Sequence, residues 1–229
     1  MQCLIQQLRD RKPDESGFVL GVAGSKGGVG KTTLVTNLAI AYAQFGLRVA
    51  IVDCDFDQRS AASWCRRRQE RGSSPKITWS TTKLSELRQS SIIRSQAYDV
   101  IMVDTAGHAN NVIGQLASVV DKLLFPTQSS IFDIERTNLM VHAAQNIEGL
   151  DFGVVFNRGR SPSKMRLQAV EEVPKLLDTH LPESVKLHDA SAIGFGIGEL
   201  DYNCSVAKSL REIALEAVDP NQKGIAENE

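Results

Sequence analysis

Short apolar runs alternate along this chain with stretches whose apolar positions recur every three or four residues. The runs at Phe18–Ala23, Val49–Asp53, Val100–Asp104, Lys122–Pro126 and Phe152–Asn157 predict β-strands, with weaker ones at Ile77–Trp79 and Val185–Leu187. Between the first two, Leu34, Val35, Leu38, Ala39 and Tyr42 fall at helical spacing and Gly46 supplies a stop, which predicts a helix over Thr32–Phe45. Similar spacing predicts helices over Ser63–Glu70, Leu84–Ser90, Asp133–Asn146, Lys164–Thr179 and Ser205–Ala217. Strands that are apolar throughout are buried on both faces. Such strands alternating with helices give a single α/β domain, a mostly parallel sheet covered by helices on both faces. The domain is expected over 18–218, after a short extension at 1–17 and before a polar, loose tail at 219–229.

Composition narrows the class. With 229 residues the chain can bury a sizeable core. Its 26 basic and 27 acidic residues leave a net charge of −1, so any contact with nucleic acid must come from a local patch. No apolar run approaches the ~20 residues needed to span a bilayer. The first segment carries Arg9, Asp10, Arg11 and Lys12 where a secretory signal would have an apolar core. Cys3, Cys54, Cys65 and Cys204 lie far apart and form no CxxC, which argues against a disulfide framework or zinc site. A cytoplasmic protein is expected.

The chemistry concentrates after the first strand, in Gly24-Ser25-Lys26-Gly27-Gly28-Val29-Gly30-Lys31-Thr32-Thr33. A strand, a glycine-rich turn and a helix start form a grip for nucleotide phosphates, because glycines let successive N–H groups face one anion. Lys31 is placed to reach the β- and γ-phosphates, and the Thr32 hydroxyl to ligate Mg²⁺. Two later strands end in carboxylates, at Asp53-Cys54-Asp55 and at Asp104-Thr105-Ala106-Gly107. Asp104 closing an apolar strand suits a carboxylate on Mg²⁺.

Ser25 stands where the standard loop has glycine, and a second lysine, Lys26, precedes the paired glycines. This loop resembles the deviant Walker A motif of the ParA/MinD group of P-loop ATPases, with similarity strongest over 18–107. The resemblance implies ATP and Mg²⁺ as cofactors, slow partner-stimulated hydrolysis, and a homodimer closed around two ATP molecules. In such a dimer Lys26 touches the nucleotide of the other subunit, so Lys26 and Lys31 both act on phosphates, within a binding set of 26–33. The resemblance gives Asp55 the attacking water and Asp53 the Mg²⁺ and water network. The chain departs from the family with Phe56-Asp57-Gln58 where Pro-Gln is usual, leaving Asp57 between a switch role and a solvated turn. His108, in the second switch, is either a base or a surface histidine. For the adenine, the resemblance points to Phe125-Pro126-Thr127-Gln128 and Phe156-Asn157-Arg158; the Asn157 amide suits the base edge and equally suits a turn.

Other members of the group are set aside by what is missing. Bridging iron–sulfur relatives need cysteines between Cys65 and Cys204, and anion-pump relatives carry a duplicated domain. The acidic end Gly224-Ile225-Ala226-Glu227-Asn228-Glu229 lacks the basic amphipathic helix of membrane-targeted relatives, so no membrane is expected. What remains resembles the compact ParA proteins that lack an N-terminal DNA-binding domain. That likeness implies non-specific DNA binding near the nucleoid and an adaptor or centromere-binding-type activator. The role it implies is partition or positioning of a plasmid, a chromosome or another cargo. Arg158, Arg160, Lys164, Arg166, Lys208 and Arg211 are the DNA candidates, each also readable as a solvated cation. Two other functions fit the loop: an ATP-switched docking protein, for example in DNA transfer, and a small-molecule P-loop enzyme.

Overall fold

The five apolar runs are strands, and they share one sheet. A computed structural model of the chain describes residues 2–11, 17–24, 26–107, 111–159 and 172–220. In chain order the described elements are α1 (Gln2–Arg9), β1 (Phe18–Val22), α2 (Lys31–Gln44), β2 (Val49–Asp53), α3 (Ser60–Glu70), β3 (Thr78–Thr81), a 3₁₀ turn (Leu84–Gln89), β4 (Val100–Asp104), α4 (Val112–Ala117), β5 (Lys122–Thr127), α5 (Ile131–Gln145), β6 (Asp151–Gly159), β7 (Leu181–Pro182), α6 (Val185–Ala192), α7 (Ile197–Leu200) and α8 (Ser205–Val218). All seven strands run parallel in the order β3-β2-β4-β1-β5-β6-β7.

Neighbouring residues of each central strand feed opposite cores, as the pleat requires. Leu20, Val22, Ile51 and Met102 meet α1, α2, α3 and α8 on one face. Val19, Val52, Ile101 and Val103 meet the 3₁₀ turn, α4 and α5 on the other. Pro126 is tolerated in β5 because β1 pairs with that strand only as far as Leu124.

Two expected elements are corrected. Val185–Leu187 is the first turn of α6, not a strand: Leu187 and Ala190, three apart, are its buried positions while Val185 faces out. The expected helix over Lys164–Thr179 is not helical at 173–179, and 164–171 lie outside the described residues. There the backbone bonds to β6 instead, with Val154 N–H on the Lys175 carbonyl and Leu177 N–H on the Val154 carbonyl, and Lys175 takes a left-handed conformation. Three short helices, α1, α4 and α7, had no expectation. In α1, Ile5 and Leu8 join the core, and the Arg9 guanidinium donates to the carbonyls of Phe45 and Gly46 at 3.0 and 3.3 Å.

Candidate functional site

β1 sits inside the sheet, and the chain leaves its carboxyl end through the glycine loop into α2. Gly28 and Gly30 have φ of +79° and +104°, which side chains resist. At Gly30 a Cβ would stand 2.0 Å from Asn157 Nδ2, so glycine is required twice over. At Gly27 and Gly28, by contrast, nothing described lies within 4 Å of a Cβ position. The loop is therefore packed beneath and open above, at the positive end of α2, which is the form of an anion cradle.

Two side-chain amides, one in β6 and one just past β5, hold the underside. Asn157 Nδ2 donates to the Val29 carbonyl at 2.7 Å, and Gln128 Nε2 to the Gly28 carbonyl at 3.2 Å. From the side comes the segment after β4: a Cβ on Gly107 would meet Lys26 and Gly27 backbone atoms at 2.7–2.9 Å. Its neighbour Thr105 donates from Oγ1 to the Val22 carbonyl at 2.9 Å. Lys31 is buried and its Nζ donates to the Lys26 carbonyl at 3.0 Å. Burial lowers the Lys31 pKa, opposed by the charges of Asp104 and Asp55. Lys26 goes elsewhere. Its ammonium pairs with Asp133, a buried carboxylate in the first turn of α5. Ser130 caps that turn, accepting from the Asp133 N–H at 3.2 Å and donating to Asp133 Oδ2 at 2.7 Å.

Asp53 and Asp104 are register neighbours at the ends of β2 and β4. Thr32 Oγ1 donates to Asp104 Oδ2 at 2.6 Å, while Asp104 Oδ1 is buried with no hydrogen-bond partner. Burial pushes the Asp104 carboxyl up to about 7, against the pull of the Thr32 hydrogen bond, with Asp53 adding to the rise. An unpaired buried carboxylate oxygen beside a hydroxyl suits a hard cation that takes oxygen ligands and keeps most of its waters, as Mg²⁺ does. Asp53 is occupied otherwise: its two oxygens accept from the N–H groups of Asp55 at 2.9 Å and Ala62 at 2.8 Å. It thereby ties the segment after β2 to the start of α3, and burial raises its pKa despite those bonds. Asp55, partly exposed, accepts the Gln58 N–H at 3.0 Å. The departure at 56–59 forms an exposed turn in which Arg59, at φ 49°, stacks over the Phe56 ring at 4.7 Å.

Beside Thr33 lies a cavity of about 250 Å³ whose walls include Asn157, Arg158, Pro182, Val185 and His188. It continues from the phosphate cradle along the carboxyl edge of the sheet, where a base joined to those phosphates would lie.

The family described as the CobQ/CobB/MinD/ParA nucleotide binding domain matches residues 20–194. The chain belongs to this family. Protein ParA of Rhizobium radiobacter is 32% identical over 120 residues, and this match spans half the length of either protein. The chromosome-partitioning ATPase Soj of Thermus thermophilus is 23% identical over 238 residues, covering 87% of this chain and 94% of that protein. The septum site-determining protein MinD from Pyrococcus horikoshii, solved with Mg-ADP, has the same fold, with a TM-score of 0.72 at 17% identity over 89% and 96% of the two chains. The protein is a ParA/MinD-type P-loop ATPase.

For this ParA/MinD-type ATPase, Lys31, Thr32, Asp53 and Asp104 of the expected residues come together at the ends of β1, β2 and β4, and of the expected DNA residues Arg158, Lys208 and Arg211 are described. Arg158 is exposed and borders the base cavity; Arg160, Lys164 and Arg166 lie outside the described residues, as do Ser25 and His108. Lys208 is exposed on α8, whose Val206, Leu210 and Ile213 are buried. Arg211 instead stacks on Tyr202 at 3.9 Å and donates to its carbonyl at 2.8 Å. Sequence reasoning missed Asp133 as the partner of Lys26, although Ser130-x-x-Asp133 is a helix-start signature. It also missed Gln128 as a brace, a role that no local pattern announces. Among the described residues no helix is long and apolar enough to cross a membrane.

Proposed function

We propose that this ATPase is an ATP-gated homodimer that binds DNA non-specifically and partitions or positions DNA or another cargo, with an adaptor protein stimulating hydrolysis. The observation that carries the reading is the division of labour between the two loop lysines. Lys31 is buried against the loop, whereas Lys26 is held at the rim by Asp133 with about a third of its side chain exposed (32%). A cation at the rim can leave one carboxylate for the phosphates of a facing subunit without dismantling its own cradle.

Within one subunit, the N–H groups of 27–33 and the Lys31 ammonium bind the phosphates, and Asn157 and Gln128 keep the loop from sagging. Thr32 and Asp104 would hold Mg²⁺, which neutralises charge on the phosphate oxygens when bound. Asp55 orients the attacking water at the mouth of the site, and Asp53 keeps the Asp55 backbone in place. Positioning and charge neutralisation are most of what phosphoryl transfer asks of a protein.

The test is binding to random-sequence duplex DNA with ADP, with ATP and with a slowly hydrolysed analogue, at two salt concentrations. Binding is expected only with ATP or the analogue, weaker in higher salt, absent in Lys26→Ala and reduced in Lys208→Ala/Arg211→Ala. ATP-dependent dimerisation with no DNA binding in any state would replace this reading with that of a docking protein.

A further inference from the structure

The whole chain is close to neutral, so its cations matter by where they gather. Around α3 they gather densely. From 56 to 76 the chain holds Arg59, Arg66, Arg67, Arg68, Arg71 and Lys76 against two carboxylates, Asp57 and Glu70. Arg68 is taken up inside: it is buried, pairs with Glu199 at 2.8 Å and donates to the Pro75 carbonyl at 3.2 Å. The other five cations reach solvent.

The helix sorts them. Ala61, Ala62, Trp64, Cys65 and Arg68 are its buried positions. That leaves 59 and 66, seven apart, and 67 and 71, four apart, as two rows on the outward side, with Ser63 and Glu70 between them. Arg67 is braced, donating to Ser63 Oγ at 2.9 Å, and Arg59 lies over Phe56. Arg66, Arg71 and Lys76 have no side-chain partner among the described residues, and neither Asp57 nor Glu70 pairs with any of the five. The surroundings do not reverse the sign. Exposed Lys186 and Asp189 on α6 offset each other, and Lys83 beyond β3 faces Glu86 at 4.0 Å.

What such a face fits follows from what it lacks. Protein interfaces concentrate their binding in apolar and aromatic anchors, and helices that enter lipid carry an apolar face. The apolar residues of α3 are all turned inward, and Phe56 is the one large apolar side chain exposed beside it. Guanidinium forks bind phosphate oxygens without reading sequence, and each strand of duplex DNA offers one phosphate per ~3.4 Å of axis. The helix is also tied to the nucleotide side of the sheet. Its Ala62 N–H donates to Asp53 at 2.8 Å, and the Arg59 N–H to the Asp55 carbonyl at 2.8 Å. A shift at Asp55 therefore reaches the first of these arginines directly.

We propose that the phosphate backbone of duplex DNA lies along the outward side of α3, on Arg59, Arg66 and Arg71. This rests on the non-specific DNA binding proposed above, and adds a second surface to Lys208 of α8, which packs on the same face of the sheet.

The test is a fluorescence-anisotropy titration of random-sequence duplex with Mg²⁺ and the slowly hydrolysed ATP analogue, across a salt series. Arg66→Ala/Arg71→Ala should bind about tenfold more weakly or worse, with a plot of log K against log salt shallower by about two. Arg66→Lys/Arg71→Lys keeps the charges and should keep the slope. Arg88→Ala/Arg94→Ala removes two exposed arginines from the opposite face of the sheet, where Leu87, Ile92 and Ile93 are buried, and should stay within about twofold of the parent. Analogue binding and melting should match the parent in all of them. If the alanine pair melts lower, the single variants decide, each expected to lower the slope by about one. A parent that binds DNA while the Arg66/Arg71 pair behaves like the Arg88/Arg94 pair overturns this surface and leaves the DNA reading standing. A parent that binds no duplex in any nucleotide state overturns that reading and the surface with it. If that parent instead holds phosphatidylglycerol vesicles through Arg66 and Arg71, the patch belongs to a lipid surface.

Discussion

Asp104 is ionised in the unfolded chain above about 4, but in the folded protein burial holds its proton up to about 7. Over that interval the folded state binds more protons, so this group's contribution to metal-free stability is full below ~4, declines as pH rises, and is gone above about 7. Magnesium needs the ionised form, so Mg-ATP binding should release a proton and weaken as pH falls below neutrality. Asp104→Asn is expected to melt higher than the parent at pH 8 without metal, yet to bind Mg-ATP at least about tenfold more weakly. Calorimetric melts and magnesium titrations across pH check both signs. Asn157 and Gly30 make a coupled pair. Asn157→Ala leaves the Val29 carbonyl without its donor and should cost about 1–3 kcal/mol. Gly30→Ala should be worse, because Asn157 Nδ2 and the positive φ both oppose it. In the double variant the collision is relieved and the backbone strain stays, so a double-mutant cycle by denaturant unfolding should show partial, not full, rescue.

Elements differ in how plainly they are written in the chain. β1, β2, β4, β5 and β6 could be read because burial on both faces demands unbroken apolar runs, and the glycine loop because phosphate binding demands particular residues at fixed spacing. Val185–Leu187 was misread because three residues carry no periodicity, and only Leu187 with Ala190 shows the helical one. Residues 173–179 have the composition of a helix, but their backbone groups are claimed by β6, a tertiary choice that local propensity does not record. Helix α1 offers just two buried residues, Ile5 and Leu8, over eight positions, too few to set a period. Its worth is testable. Leu8→Ala should lower unfolding free energy by about 2–3 kcal/mol, as buried leucines do, measured by urea denaturation. A loss under 0.5 kcal/mol would mean that α1 is only loosely applied to the core. In the site, Thr32, Lys31 and Asp104 stand out in the motif, and Gln128 and Asn157 were singled out for the base, whereas the contacts that Gln128, Asn157 and Asp133 make with the loop come from folding and no local pattern announces them.

Across the whole molecule, the carboxyl edge of the sheet gathers the glycine loop, the segments that follow β2 and β4, and the cavity beside Thr33. This division predicts separable defects. Lys26→Ala should leave ATP binding by the monomer within about twofold, since Lys31 and the loop amides remain, but should abolish ATP-driven association seen by sedimentation. If the variant instead loses ATP binding outright, Lys26 serves its own nucleotide and the dimer reading fails. At the opposite edge, Arg9 seats its guanidinium on the carbonyls of Phe45 and Gly46, just past the end of α2, the helix that follows the glycine loop. That contact has a practical cost for anyone handling the protein. A purification tag or fluorescent protein fused ahead of Gln2 is expected to load this contact at the rear of α2. Affinities for ATP taken from front-tagged material should therefore come out weaker than those from untagged protein, compared by titration of the two.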